Sequence, residues 1–179
     1  MKAVSVGLLS AVALIAQPVG SGAKPLSVCE LIEHRMAYNR RIVTVRGQVR
    51  WGPHGDWLAA SSECEHRLVT KGVVWPDVIY LAYPNNQDRD LDSHAGFKAD
   101  LRAIAKDKER LRRAGFDPET DRLYRTYVGL FVTIEDLENR VNPGIPDFER
   151  LGFGPLPLGA PAQLLIKTVG DSVFVRPPR

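Results

Sequence analysis

Apolar and polar side chains alternate over the best-defined segments of the chain. In residues 42–51, Val43, Val45, Val49 and Trp51 alternate with Thr44, Arg46, Gln48 and Arg50, the period of a half-buried strand. Gly47 falls on the apolar parity, where a glycine predicts a bulge or a sharp bend. Gly52, Pro53, His54 and Gly55 predict a turn. Further strands are expected at residues 56–60, at 68–71 and, between Pro76 and Pro84, at 78–82. Period two returns after Pro118, with Tyr124, Thr126, Val128, Leu130, Val132 and Ile134 on one side of a strand over 123–134. Glycines and prolines at 142–161 predict an irregular crossing loop. Residues 162–169 and 172–175 then predict a closing hairpin across Gly170 and Asp171.

Two segments carry a helical period instead. Over 27–38, Leu31, Ile32 and Met36 recur at helical spacing, with Ser27 placed to cap and Glu30 three residues on. Over 97–114, Phe97, Leu101, Ile104 and Leu111 mark one face of a long helix, with Asp92 or Ser93 as the expected N-cap and Gly115 closing it. Five or six short, mainly antiparallel strands with a short N-terminal helix and a long inserted one predict a small β-barrel of the α+β class. The run Tyr38, Asn39, Arg40, Arg41, Ile42, Val43, Thr44, Val45, Arg46, Gly47, Gln48, Val49 resembles the first strand of exported bacterial OB-fold-like domains, where a short helix leads into a V-x-V-x-G-x-V strand. The resemblance covers mainly residues 27–81 and the closing hairpin, and the long helix departs from the minimal OB pattern. It implies an OB-like barrel, a shape that hosts many unrelated functions.

The N-terminus adds a compartment. Residues 1–23 read as a cleavable signal peptide: Lys2 gives the positive start, residues 4–16 carry no charge, and the small Ser21 and Ala23 precede a cut before Lys24. The apolar run is shorter than the roughly 20 residues a membrane-spanning helix needs. A single globular domain over 24–179 is then expected outside the cytoplasm, periplasmic or secreted. Its formal charge falls from +3 to +2 with the loss of Lys2. Cys29 and Cys64, in an oxidising compartment, predict a disulfide. Leu26, Ser27 and Val28 give a rival reading of Cys29 as a lipidated cysteine, but the residue before such a cysteine should be small and Val28 is not.

Most candidate chemistries fail on spacing. His54, Cys64 and His66 match no standard zinc site and would leave Cys29 unpaired. Asp88, Asp90 and Asp92 open like a calcium loop, yet Ser93 stands where glycine is needed and Ala99 where a bidentate Glu is needed. Ser61 and Ser62 lack a nucleophile elbow, and Gly152, Gly154 and Gly159 do not join a strand to a helix. No metal, cofactor or catalytic set is therefore expected. The helix over 97–114 stands out by charge, with Lys98, Arg102, Lys106, Lys108, Arg110, Arg112 and Arg113 against Asp100, Asp107 and Glu109. Such a helix lies on an anionic surface, or is a solvated flank with its cations favoured toward the C-terminal end. Candidate binding residues are Arg46, Arg50 and Trp51 on the first long strand and Lys106, Arg110 and Arg113 on the helix. The expected function is a non-enzymatic exported binding or structural module, its partner an anionic envelope surface or a small ligand, since an exported chain seldom meets nucleic acid. The alternative is an envelope hydrolase with catalytic residues dispersed along the chain.

Overall fold

The alternation at 42–51 does form a strand, and the rest of the sheet is built on it. The structure is a computed structural model that describes residues 24–52, 55–70, 72–84, 94, 97–138, 152–154 and 159–176. The elements run β1 (Leu26–Ser27), α1 (Val28–Glu33), α2 (Arg35–Tyr38), β2 (Arg41–Gly52), β3 (Gly55–Ala59), β4 (Val69–Thr70), β5 (Val73–Val74), β6 (Val78–Ala82), α3 (Leu101–Arg113), β7 (Arg122–Thr133), α4 (Ile134–Glu138) and β8 (Ala162–Val175). Five strands follow the order β2, β3, β6, β8, β7, and β7 pairs back onto β2, so the barrel is closed. Every barrel pairing is antiparallel except β6 with β8, and β1 adds a short parallel strand on β2. Residues 1–23, Pro53, His54, Asp88, Asp90, Asp92 and Ser93 lie outside the described residues.

The odd residues of β2 turn inward as the pattern predicts. Val43, Val45 and Val49 are buried with Leu58, Ile79, Leu81, Leu123, Tyr127, Phe131, Leu164 and Ile166 in one cluster, joined by Val28, Leu31 and Ile32 of α1 and by Ile104 and Leu111 of α3. Fully burying each such aliphatic side chain stabilises the fold by about 1.5–3 kcal/mol. On β7 the inward set is Leu123, Arg125, Tyr127 and Phe131, while Leu130 and Val132 face the other way. These last two are buried too, beneath Trp75 and Phe153 in a second cluster. Gly47 is explained by close approach and not by a bulge: the β2–β7 register passes through Gly47↔Arg125 without a shift. A Cβ there would lie 2.6 Å from the Ala59 carbonyl oxygen and 2.9 Å from Val28 Cγ2.

Several local expectations are corrected. The closing hairpin is absent: β8 is one strand of 14 residues along β7, with Gly170 and Asp171 inside it. Register shifts between Arg125 and Tyr127 and between Val128 and Gly129 absorb the extra residues as bulges. The long helix starts at Leu101, capped by the Asp100 carboxylate on the Ala103 N–H at 3.0 Å. Its other end closes on Gly115 (φ 72°) as expected, the N–H groups of Phe116 and Gly115 reaching back to Leu111 and Arg112. The first helix is two short ones broken at His34, with the Ser27–Glu30 capping box in place. The segment expected as a third strand contributes only Val69–Thr70, paired with β5 outside the barrel. Cys29 and Cys64 form the expected disulfide, with a Cα–Cα distance of 5.4 Å. Among the described residues no helix is long and apolar enough to cross a membrane.

Candidate functional site

Because β2 alternates, its even residues form the outer surface of the barrel. Gln48 lies between Tyr124 on β7 and Ala59 on β3, and Ala59 pairs in turn with Val78. A groove of about 1160 Å³ opens over this floor. One wall is Ala60–Glu63, Arg67 and Val73–Asp77, and the other is the turn Pro118–Arg122 that leads into β7. Its polar lining comprises Gln48, Ser61, Ser62 and Thr120, and its charged lining Arg50, Arg67, Arg122, Glu63, Asp77, Glu119 and Asp121. Trp51 borders it, 40 % exposed, one side of its ring against Phe116 at 5.4 Å. Trp75 sits deeper, its indole N–H donating to Thr70 Oγ1 at 2.6 Å.

Two of the groove's four carboxylates, Asp121 and Asp77, are committed outside it. Asp121 accepts from Arg176 and from the Asp117 N–H, contacts that hold its carboxyl below the ordinary range. Asp77 accepts the Cys64 N–H at 3.1 Å, so the chain beyond the disulfide is pinned to the groove wall. Glu63 reaches Arg67 at 3.5 Å, both well exposed. Arg50 and Arg122 flank the last register pair between β2 and β7, Val49↔Leu123, and both are exposed. Neither has an ion-pair partner among the described residues.

A second polar cluster lies inside the barrel, where α3 covers β8. Arg125, turned inward from β7, meets Asp107 of α3 at 2.5 Å, with both side chains nearly inaccessible to solvent. It also donates to Ser172 Oγ and to the Tyr127 hydroxyl, each at 3.1 Å. Ser172 donates to Asp107, and Arg110 bridges Asp107 and the Ser172 carbonyl. Burial pushes the Tyr127 hydroxyl up to about 12. Burial also raises the carboxyl of half-buried Asp56, against the pull of Lys108 and Arg125. The set offers no histidine among the described residues, and its remaining carboxyl, Asp56, acts on the Tyr127 hydroxyl only through its charge. It reads as the polar seam that fixes α3 to the sheet.

The candidate residues thus separate. Arg50 and Trp51 line the groove; Arg46 lies on the same face one row away, donating to Thr126 Oγ1 at 3.2 Å. Of the helix set, Arg110 is held by Asp107 and Arg113 by Glu109, which also binds Arg112, while Lys106 is exposed. None of the helix set reaches the groove. Arg122, Arg67 and Trp75 complete it and were not singled out from the sequence. The only local signal for Arg122 is its outward parity with Tyr124 and Thr126. No protein-family model, curated protein or solved structure matches the chain.

Proposed function

We propose that this chain is an exported, non-enzymatic binding module: an α+β, OB-like barrel over residues 24–179 that takes a ligand in the groove between β2 and the Pro118–Arg122 turn. The observation that carries the reading is the groove itself, floored by regular sheet and lined by hydroxyls, an amide, an indole and unneutralised guanidinium groups. Clefts of this size with a few convergent polar groups are the usual form of a ligand site. The OB-like assignment rests on the run Tyr38 to Val49 together with a five-stranded barrel. Export rests on the pattern of residues 1–23 and on the disulfide, which is at home in an oxidising compartment. That bond also occupies the sulfur a lipid anchor on Cys29 would need.

The test is a thermal-shift screen of residues 24–179 against neutral sugars, acidic sugars, phosphorylated small molecules, peptides and nucleotides, with hydrolysis of each followed in parallel. At least one compound raises the melting temperature without being turned over, and Trp51→Ala together with Gln48→Ala removes the effect while the unliganded melting temperature stays within a few degrees. A screen in which no compound depends on these groove residues, or in which the protein cleaves one, overturns the proposal.

A further inference from the structure

Among the described arginines, those near a carboxylate generally pair with it. Arg35 meets Glu135, Arg40 meets Asp136, Arg110 and Arg125 share Asp107, Arg112 and Arg113 share Glu109, and Arg176 holds Asp121. Arg50 and Arg122 break this habit in a groove that contains four carboxylates. Asp121, next to Arg122 in sequence, is turned to Arg176 with no solvent exposure left to its side chain. Asp77 faces the Cys64 amide, and Glu63 extends toward Arg67. Glu119 alone is left to offset two guanidinium groups.

The two arginines also stand together. They flank Val49↔Leu123 on adjacent antiparallel strands and project from the same outer face, because Val49 and Leu123 point inward. The β2–β7 pairing ends at Val49↔Leu123, and the two arginines occupy the positions just past it, next to a pair whose strands hold opposed residues about 5.5 Å apart at Cα. Like charges so placed repel and weaken the sheet. The repulsion turns into attraction when one anion sits between them, since a guanidinium offers a planar fork that fits carboxylate and phosphate oxygens alike.

We infer that Arg50 and Arg122 form a two-guanidinium clamp for an oxyanion, so that the ligand of the groove carries a carboxylate or a phosphate group. The inference rests on the binding-module reading and adds the charge class of the ligand. Gln48, Ser61 and Thr120 line the same groove and supply neutral contacts to the remainder of the molecule. The helix is the competing anion site: Arg110, Arg112 and Arg113 share Asp107 and Glu109, while Arg102, Lys106 and Lys108 stand exposed without an ion-pair partner among the described residues.

The experiment is isothermal titration with two matched pairs, trigalacturonate against its methyl ester and glycerol phosphate against glycerol, with amide chemical-shift mapping of the unsubstituted protein in each. At least one charged probe binds, its neutral match binds about tenfold more weakly or worse, and the shifts cluster on β2 and the Pro118–Arg122 turn. Which pair responds decides between carboxylate and phosphate. Arg50→Gln and Arg122→Gln each weaken binding by about tenfold or more, roughly the loss of one charge-assisted contact, whereas Arg112→Gln leaves it unchanged. Higher salt weakens it further, the charges being exposed. Equal binding of charged and neutral probes in the groove overturns the clamp and leaves the binding module standing. Binding confined to phosphatidylglycerol vesicles and abolished by Lys106→Glu instead assigns the anion to the helix and also overturns the clamp. Shifts nowhere near the groove with any probe, including the neutral members, count against both readings.

Discussion

Asp107→Ala is the substitution whose effect the structure constrains most tightly. The Arg125 and Asp107 side chains are 6 % and 9 % exposed, and Arg125 arrives from the sheet while Asp107 arrives from α3. Truncating Asp107 leaves a guanidinium inside the barrel with only the Ser172 and Tyr127 hydroxyls as acceptors. Removing one partner of a buried pair costs about 3–5 kcal/mol, because the remaining charge stays desolvated. Arg110 also loses its partner, but its side chain is half exposed and that loss adds about 0–1 kcal/mol. A domain of this size has a total stability of about 5–15 kcal/mol. At about 2–4 °C per kcal/mol, the melting temperature falls by about 6–20 °C. Urea unfolding followed by tryptophan fluorescence and far-ultraviolet circular dichroism measures the change, and the two probes coincide if α3 and the barrel unfold together. The paired variant Asp107→Leu with Arg125→Met separates pairing from packing: it removes both charges and recovers most of the loss, or exceeds the parent by about 1–4 kcal/mol. A cost below about 1 kcal/mol for Asp107→Ala, or a paired variant as unstable as the single one, refutes the reasoning.

Replacing Cys29 and Cys64 with Ser opens a loop of sequence separation 35 and lowers stability by about 2–4 kcal/mol. The native protein shows no reactive thiol until it is reduced, and a loss under about half a kcal/mol would mean that the bond does not constrain the unfolded chain. Tyr127 sets an alkaline limit. Its hydroxyl is raised from an ordinary value near 10 to about 12, so the folded state holds the proton that the unfolded state gives up. The stability it contributes is full below about pH 10 and is lost as pH rises toward 12. Tyrosinate absorbance should show one residue ionising well after the exposed tyrosines and together with unfolding. A Tyr127 signal near 10 in the folded protein contradicts its burial.

Strand positions were legible where one face is buried and the other wet. On β2 the inward Val43, Val45 and Val49 and the outward Arg46, Gln48 and Arg50 differ in polarity as well as in direction, so period two identifies both the strand and its inner face. On β7 the outward Leu130 and Val132 lie beneath Trp75 and Phe153, while the inward face carries Arg125, so apolar parity marks the outer side as strongly as the inner. β8 failed for a related reason. Its inward residues run Leu164 and Ile166, then Val169, then Ser172 and Phe174, because two bulges change the parity. A parity change next to Gly170 and Asp171 has the local appearance of a hairpin turn. Only the length of β7 opposite shows that the strand continues.

The site was legible in proportion to how local its physics is. Arg50 and Trp51 stand out on a strand whose outer face the alternation exposes. Arg122 does not, since its importance comes from lying beside Val49↔Leu123, and strand pairing cannot be read from residues some seventy positions apart. Charge followed the same rule. Counted along the chain, α3 is the most electropositive segment, and the fold engages Arg110, Arg112 and Arg113 with Asp107 and Glu109 while leaving Arg102, Lys106 and Lys108 exposed. The groove has four carboxylates against three arginines and looks acidic by count, but Asp121 is taken by an arginine 55 residues away and Asp77 by the amide at the disulfide. Available positive charge therefore depends on which carboxylates the fold has already committed, and the tertiary contacts that commit Asp121 and Asp77 leave Arg50 and Arg122 without an ion-pair partner on β2 and at the start of β7.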